Sequence, residues 1–206
     1  MTSPRAPFQE STTDDPQALA VLDFWFGAPD SPDYGHKRKI WFTKDAAFDA
    51  QLRERFGALI DAAVAGELDG WSATPRGTLA LVIVLDQFSR NGHRGSARAF
   101  AGDDKALALA RELVSTGADR QLPTVYHRVF AYMPFEHAES VDAQRESLRL
   151  FGELASEPDC ADFHDYAVRH AKVIDRFGRY PHRNAALGRV STDAELAFLR
   201  EPGSSF

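Results

Sequence analysis

At 206 residues, 44% of them hydrophobic and 26% charged, the chain has the composition of one globular domain with a single buried core. A formal net charge of −6 argues against a general nucleic-acid binder, which carries a basic excess, and gives no attraction to an anionic membrane. The single cysteine, Cys160, excludes an intrachain disulfide. The longest apolar run, Leu79–Leu85, is too short to span a bilayer, and a cytoplasmic protein is expected.

Residues 1–15 are polar and rich in Pro, Ser and Thr and read as a disordered tail, followed by one helical domain over 16–201 and a short C-terminal tail over 202–206. Trp25, Phe26, Trp41, Phe42 and Trp71 read as core packing or pocket wall. Phe48, Leu52, Phe56, Leu59, Ile60, Ala63 and Val64 repeat at helical spacing and mark one face of a long helix. Thr74-Pro75 supplies an N-cap and a first-turn proline for the next helix. That helix is apolar all round at 79–85, so it is central, and it runs on to a stop at Asn91-Gly92. Ala106 to Val114 repeats the helical pattern. A further helix opens near Pro123 and is interrupted or kinked at Pro134. Ser140 caps a helix over 141–155, Phe163 to Phe177 forms another that stops at Gly178, and Thr192 with Glu195 makes a capping box. No segment alternates with period two between hairpin signals, which predicts an all-α fold.

Three constellations could carry chemistry. Arg176 to Arg189 holds four arginines and His182 and no acid, presented from a turn fixed by Gly178 and Pro181. Guanidinium forks placed there suit a carboxylate or phosphate, or they clamp the chain's own acids. The central helix ends in Asp86-Gln87-Phe88-Ser89-Arg90-Asn91. Asp86 and Arg90 lie four apart on a face with Leu79 and Val82, forming either a self-satisfied ion pair or the polar floor of a pocket. Phe88-x-Arg90-x-x-His93-Arg94 and Phe177-x-Arg179-x-x-His182-Arg183 share their spacing, so the two helix ends would form a cationic mouth if they met. The third constellation ends in Glu136-His137-Ala138-Glu139. Neighbouring residues point about 100° apart on a helix, so no intrahelical metal site is expected, and contact between Glu136 and an arginine is the expected use. His170, on an apolar stripe, reads as a satisfied core histidine. No phosphate loop, nucleophile elbow or zinc signature occurs, and no cofactor is expected.

Val21-Leu-Asp-Phe-Trp-Phe26, Leu85-Asp-Gln-Phe-Ser-Arg-Asn91, Met133-Pro-Phe-Glu-His137 and Arg176-Phe-Gly-Arg-Tyr-Pro-His-Arg-Asn184 resemble, in that order, the DUF924 family of uncharacterised bacterial proteins. The resemblance implies a single-domain helical array similar to a tetratricopeptide-like superhelix, and it brings no established activity. The position of His93 often holds another residue type in that pattern, which leaves His93 out of the candidate set.

The leading expectation is a pocket for a small anionic, phosphate- or carboxylate-bearing ligand. Arg179, Arg183, Arg90 and Arg94 would supply its charge, and Gln87, Asn91 and Asn184 its neutral contacts. Asp86 and Glu136 would orient the cations, with His182 or His137 as acid or base and Glu136 as the carboxylate. The rival is a structural or peptide- or protein-interaction module, in which the same residues form an internal salt-bridge network.

Overall fold

A computed structural model describes residues 14–204, and every regular element among them is helical. Residues 1–13 of the expected tail, and 205–206, lie outside the described residues. Asp14 and Asp15 belong to the fold. Asp14 is buried, hydrogen-bonded by Thr74 and paired with Arg76, and the Asp15 carboxylate accepts the Gln17 amide to open α1 (Pro16–Phe26).

The remaining helices follow their sequence signals closely. They are α2 (Ala46–Ala65), α3 (Pro75–Val82), α4 (Ser89–Gly92), α5 (Asp103–Thr116), α6 (Val125–His137), α7 (Val141–Leu154), α8 (Ala161–Phe177) and α9 (Asp193–Phe198). Thr74, Ser140 and Thr192 cap α3, α7 and α9 as expected, the last with the full capping box, and Gly178 ends α8 in the left-handed region. Pro134 sits inside α6, which continues through it to His137.

The central helix departs from expectation between α3 and α4. Residues Ile83–Phe88 form a π-helical turn in which the Ser89 amide bonds the Val84 carbonyl five residues back, and Ser89 Oγ donates to the same oxygen at 3.1 Å. Spacing arguments assume 3.6 residues per turn throughout, so they could not register the extra residue that such a turn holds. Every residue from Gly77 to Ser89 is buried, because α1, α2, α5 and α6 all pack on this segment. The aromatic residues fill that core. Trp25 meets Phe88 and Phe130 at ring distances of 5.7 and 5.4 Å, and Trp41 meets Phe130 at 4.9 Å. No helix among the described residues is long and apolar enough to cross a membrane.

Within this core His127 stacks on Phe26 at 4.0 Å, with Nδ1 2.7 Å from Thr124 Oγ1. Burial, then the Arg76 charge, pulls its pKa from 6.5 down to about 4. Between those values the unfolded chain binds a proton that the folded chain refuses. The stability from this group is complete above pH 6.5 and is lost as the pH falls to about 4. His127→Phe keeps the stack and removes the titration. In urea unfolding between pH 6.5 and 4, its stability should therefore fall less steeply than wild type, by up to about 1.4 kcal/mol per pH unit. Equal slopes in the two proteins would exclude His127 as the source.

Candidate functional site

Four parts of the chain converge where the π turn ends. The π turn and α4 bring Asp86, Gln87 and Arg90; the start of α5 brings Asp103; the end of α6 brings Glu136 and His137. From the C-terminal side come His170 on α8 and Arg183 in the turn Pro181–Arg183. Asp86 is almost fully buried and accepts three partners. Gln87 Nε2 lies 2.5 Å from Oδ2, Arg90 Nη1 lies 2.8 Å from Oδ1, and His137 Nδ1 lies 2.7 and 2.9 Å from the two oxygens. Burial opposes ionisation of Asp86, but Arg90 and His137 outweigh it and hold the carboxyl well below the usual range.

A carboxylate can only accept hydrogen bonds, so the proton of the neutral His137 ring sits on Nδ1 and its lone pair is on Nε2. The His137 pKa is lowered by burial, with Asp86 pulling the other way. Its side chain keeps 15% exposure, which makes it the half-open member of a buried pair. Behind it Glu136 is buried, with Oε1 3.1 Å from His170 Nδ1. Burial, then Asp86, pushes the Glu136 carboxyl up to about 8, so it is a neutral acid at pH 7. His170 is held neutral by its own burial, with a pKa pulled down to about 3.

The arginines are engaged by protein acids. Arg90 forms a fork on Asp103 at 2.9 and 3.0 Å in addition to its bond with Asp86. Arg183 donates to Asp103 at 3.2 Å and to the His137 carbonyl at 2.9 Å, and its guanidinium lies 4.8 and 4.5 Å from the Phe100 and Tyr180 ring centres. Burial, then Arg90, lowers its pKa to about 10. Arg179 forks onto Glu195 at 2.7 and 2.9 Å, Arg189 onto Glu139 at 2.6 and 2.9 Å, and Arg94 onto Asp49 at 3.0 and 3.1 Å.

These contacts revise several expectations. Asp86 orients Arg90 and His137, whereas Arg179 and Arg183 take Glu195 and Asp103 as their acids. Glu136 meets a histidine and no arginine. Of the two matching helix ends, Arg90 and Arg183 do meet, by sharing Asp103; Arg94 and Arg179 turn away to separate partners. Asn184 bonds Arg189 at 3.0 Å and Ser191 at 3.0 Å and so braces the turn. Half-buried Asn91 follows Arg90, and His182 is half-buried with its ring 5.6 Å from Tyr180. The His182 pKa is pulled to about 4 by burial and then Arg183. Asp103, Glu139 and Glu195 carry no sequence sign of their arginine partners, since each opens or flanks a helix where an acid already suits the dipole. His170 is buried, as its place on an apolar stripe implies, and it meets Glu136 on another helix, which spacing within one helix does not show. A shallow, open hollow of about 570 Å³ lies beside the turn, lined by Arg176, Phe177, Arg179, Thr192, Ala194 and Glu195, and does not include the central cluster.

Residues 21–203 match the family described as bacterial protein of unknown function, DUF924. A solved structure of a protein of unknown function from Agrobacterium tumefaciens is similar to the chain, at 38% identity and a TM-score of 0.77, over 89% of this chain and 97% of that one. No curated protein matches.

Proposed function

The chain belongs to the DUF924 family, whose description carries no activity, and from the geometry above we propose that it acts on a small phosphate- or carboxylate-bearing molecule at the half-open face of His137. The observation that carries this reading is the 2.7 Å contact from Asp86 to His137 Nδ1. It fixes one tautomer and presents the Nε2 lone pair as a proton acceptor, the arrangement on which general-base catalysis relies. A π turn in the central helix aims Asp86 at that ring, and such turns occur often at functional sites. The open side is flanked by the partly exposed Arg90 and by half-buried His182, which favour an anionic ligand. Glu136, neutral and buried behind His137, is the reserve acid.

The segment from Arg176 to Arg189 takes the rival role in this reading. Its forks onto Glu195 and Glu139 and its single bond to Asp103 favour an internal clasp over a ligand grip. The same forks would serve a structural or peptide- or protein-interaction module of tetratricopeptide-like geometry, without any reaction.

A thermal-shift screen against small phosphates and carboxylates separates the two. A ligand at a hundred times its dissociation constant adds about 2.7 kcal/mol to stability, which such a screen detects. A true hit should vanish in His137→Gln and persist in Arg179→Ala. A hit that persists in His137→Gln places the ligand elsewhere and overturns the proposal.

A further inference from the structure

We propose that Glu136, His137 and His170 form a binding site for one divalent transition-metal ion of the zinc or ferrous class. One donor atom from each of the three lies within 4.8 Å of the other two, although α6 supplies two of the residues and α8 the third. The sequence objection, that adjacent residues on one helix diverge, loses its force because the site is built between two helices. Two imidazole nitrogens and one carboxylate oxygen form a donor set for zinc or ferrous ions, whereas calcium takes oxygen ligands in larger number. Donors around such an ion sit about 3–4 Å apart, so closure needs side-chain shifts on the order of 1 Å, with the Glu136 carboxyl, now 3.1 Å from His170 Nδ1, swinging toward Nε2.

Two further features point to a cation. The first is how the rings are held. His137 Nδ1 is engaged by Asp86, and His170 Nδ1 lies 2.9 Å from the Tyr166 carbonyl, an oxygen that can only accept. Both protons are therefore on Nδ1 and both lone pairs on Nε2. Ligating histidines are characteristically fixed through the second nitrogen by a carboxylate or a backbone carbonyl in this way. The second is charge. Asp86, Asp103, Glu139 and Glu195 each meet an arginine. Glu136, 3% exposed, meets the His170 ring across 3.1 Å and is the one acid of these five that no arginine contacts. A bound cation would displace the carboxyl proton and take the place that arginine holds at the other four.

This inference deepens the reading above and rests on the same fixed His137 tautomer. The Nε2 lone pair takes a metal ion in place of a proton, and the ion then adds charge for an anionic ligand to that of Arg90, which Asp86 and Asp103 already share.

The test uses the full chain, stripped with chelator and titrated with Zn²⁺ or Co²⁺. We expect one ion per chain, a higher melting temperature on loading, and a Co²⁺ absorption spectrum of mixed nitrogen and oxygen ligation. Glu136→Gln and His170→Ala should each weaken binding at least about 100-fold, and Asp86→Asn about 10- to 100-fold. His36 is exposed and outside the cluster, so His36→Ala should leave binding unchanged. Should the buried variants fold poorly, ¹⁵N spectra of wild type decide: Zn²⁺ must shift Nε2 of His137 and His170. Absence of stoichiometric binding by wild type, or shifts confined to other histidines, overturns the site. A His137-dependent ligand hit without metal binding would sink this inference alone, and metal binding without any ligand hit would sink only the acid–base reading.

Discussion

Asp86→Ala should lower the free energy of unfolding by about 3–5 kcal/mol, the usual loss when one member of a buried ion pair is removed. Asp86 is 1% exposed, and its two oxygens serve Arg90, His137 and Gln87 together. Alanine leaves Arg90 with Asp103 as its only acid, beside the main-chain carbonyl of residue 86, and leaves the Nδ1 proton of His137 without its acceptor in a dry site. Asp86→Asn keeps the volume and one acceptor oxygen and should recover part of the loss. The sign of the pH effect follows from the lowered pKa of Asp86. Its contribution is present above the ordinary carboxylate range and is withdrawn as the pH falls below it. The gap between wild type and Asp86→Asn should therefore be flat near neutrality and should close on acidification. In a double-mutant cycle, Asp86→Ala and Arg90→Met should be non-additive by about 0.5–3 kcal/mol. Urea unfolding that showed less than about 1 kcal/mol lost in Asp86→Ala would mean that the cluster is solvated and carries no buried network.

Gly77→Ala should destabilise by about 3 kcal/mol or more, through backbone crowding. Gly77 lies in the first turn of α3, and its amide takes the Thr74 cap at 2.9 Å. A Cβ there would stand 2.0 Å from the Trp71 carbonyl oxygen and 2.9 Å from Thr74 Oγ1. Backbone cannot swing aside as a flexible side chain does. The 3₁₀ turn Asp69–Ala73, with buried Trp71 and Ser72, would have to lift from the central helix. Gly57 gives the internal control. It lies within α2 with nothing within 4 Å of an added Cβ, so Gly57→Ala should stabilise by about 0.5–1 kcal/mol. If both alanines shifted the urea midpoint in the same direction by similar amounts, packing at Trp71 would not be the reason for the glycine.

Much of the fold was legible because helix ends announce themselves in a few adjacent residues. Thr74 before Pro75, Ser140, the Thr192–Glu195 box and Gly178 all sit where their chemistry predicts. Periodicity likewise identified most of the buried face of α2, α5, α7 and α8, including His170 among apolar neighbours, although Val64 at the end of the α2 stripe is exposed. It did not say which faces meet. Glu195 satisfied a local rule as a capping residue, so nothing signalled its second role of holding Arg179 from sixteen residues away. Arg183 offered no clue in its surroundings that Asp103 would be its acid. The π turn was hidden for a different reason: Ile83, Val84 and Leu85 are apolar in any helical phase, so the pattern carries no mark of the extra residue.

The separations within the polar cluster have a consequence for how the chain reaches this structure. Asp86 and His137 are 51 positions apart, Glu139 and Arg189 are 50, and Asp103 and Arg183 are 80. Apolar stripes are interchangeable, and helices carrying them can dock in several arrangements at similar free energy. The charged contacts are not interchangeable, because a misplaced α6 or a loose 181–183 turn strands Glu139 or Asp103 without its partner, and stranding the buried Asp86 costs several kcal/mol. Long loops must close before any of these contacts forms, so the cluster assembles late, after local helices are present. Its largest effect is then on selection among compact arrangements: a small polar cluster rejects wrong helix pairings that the larger apolar core would accept.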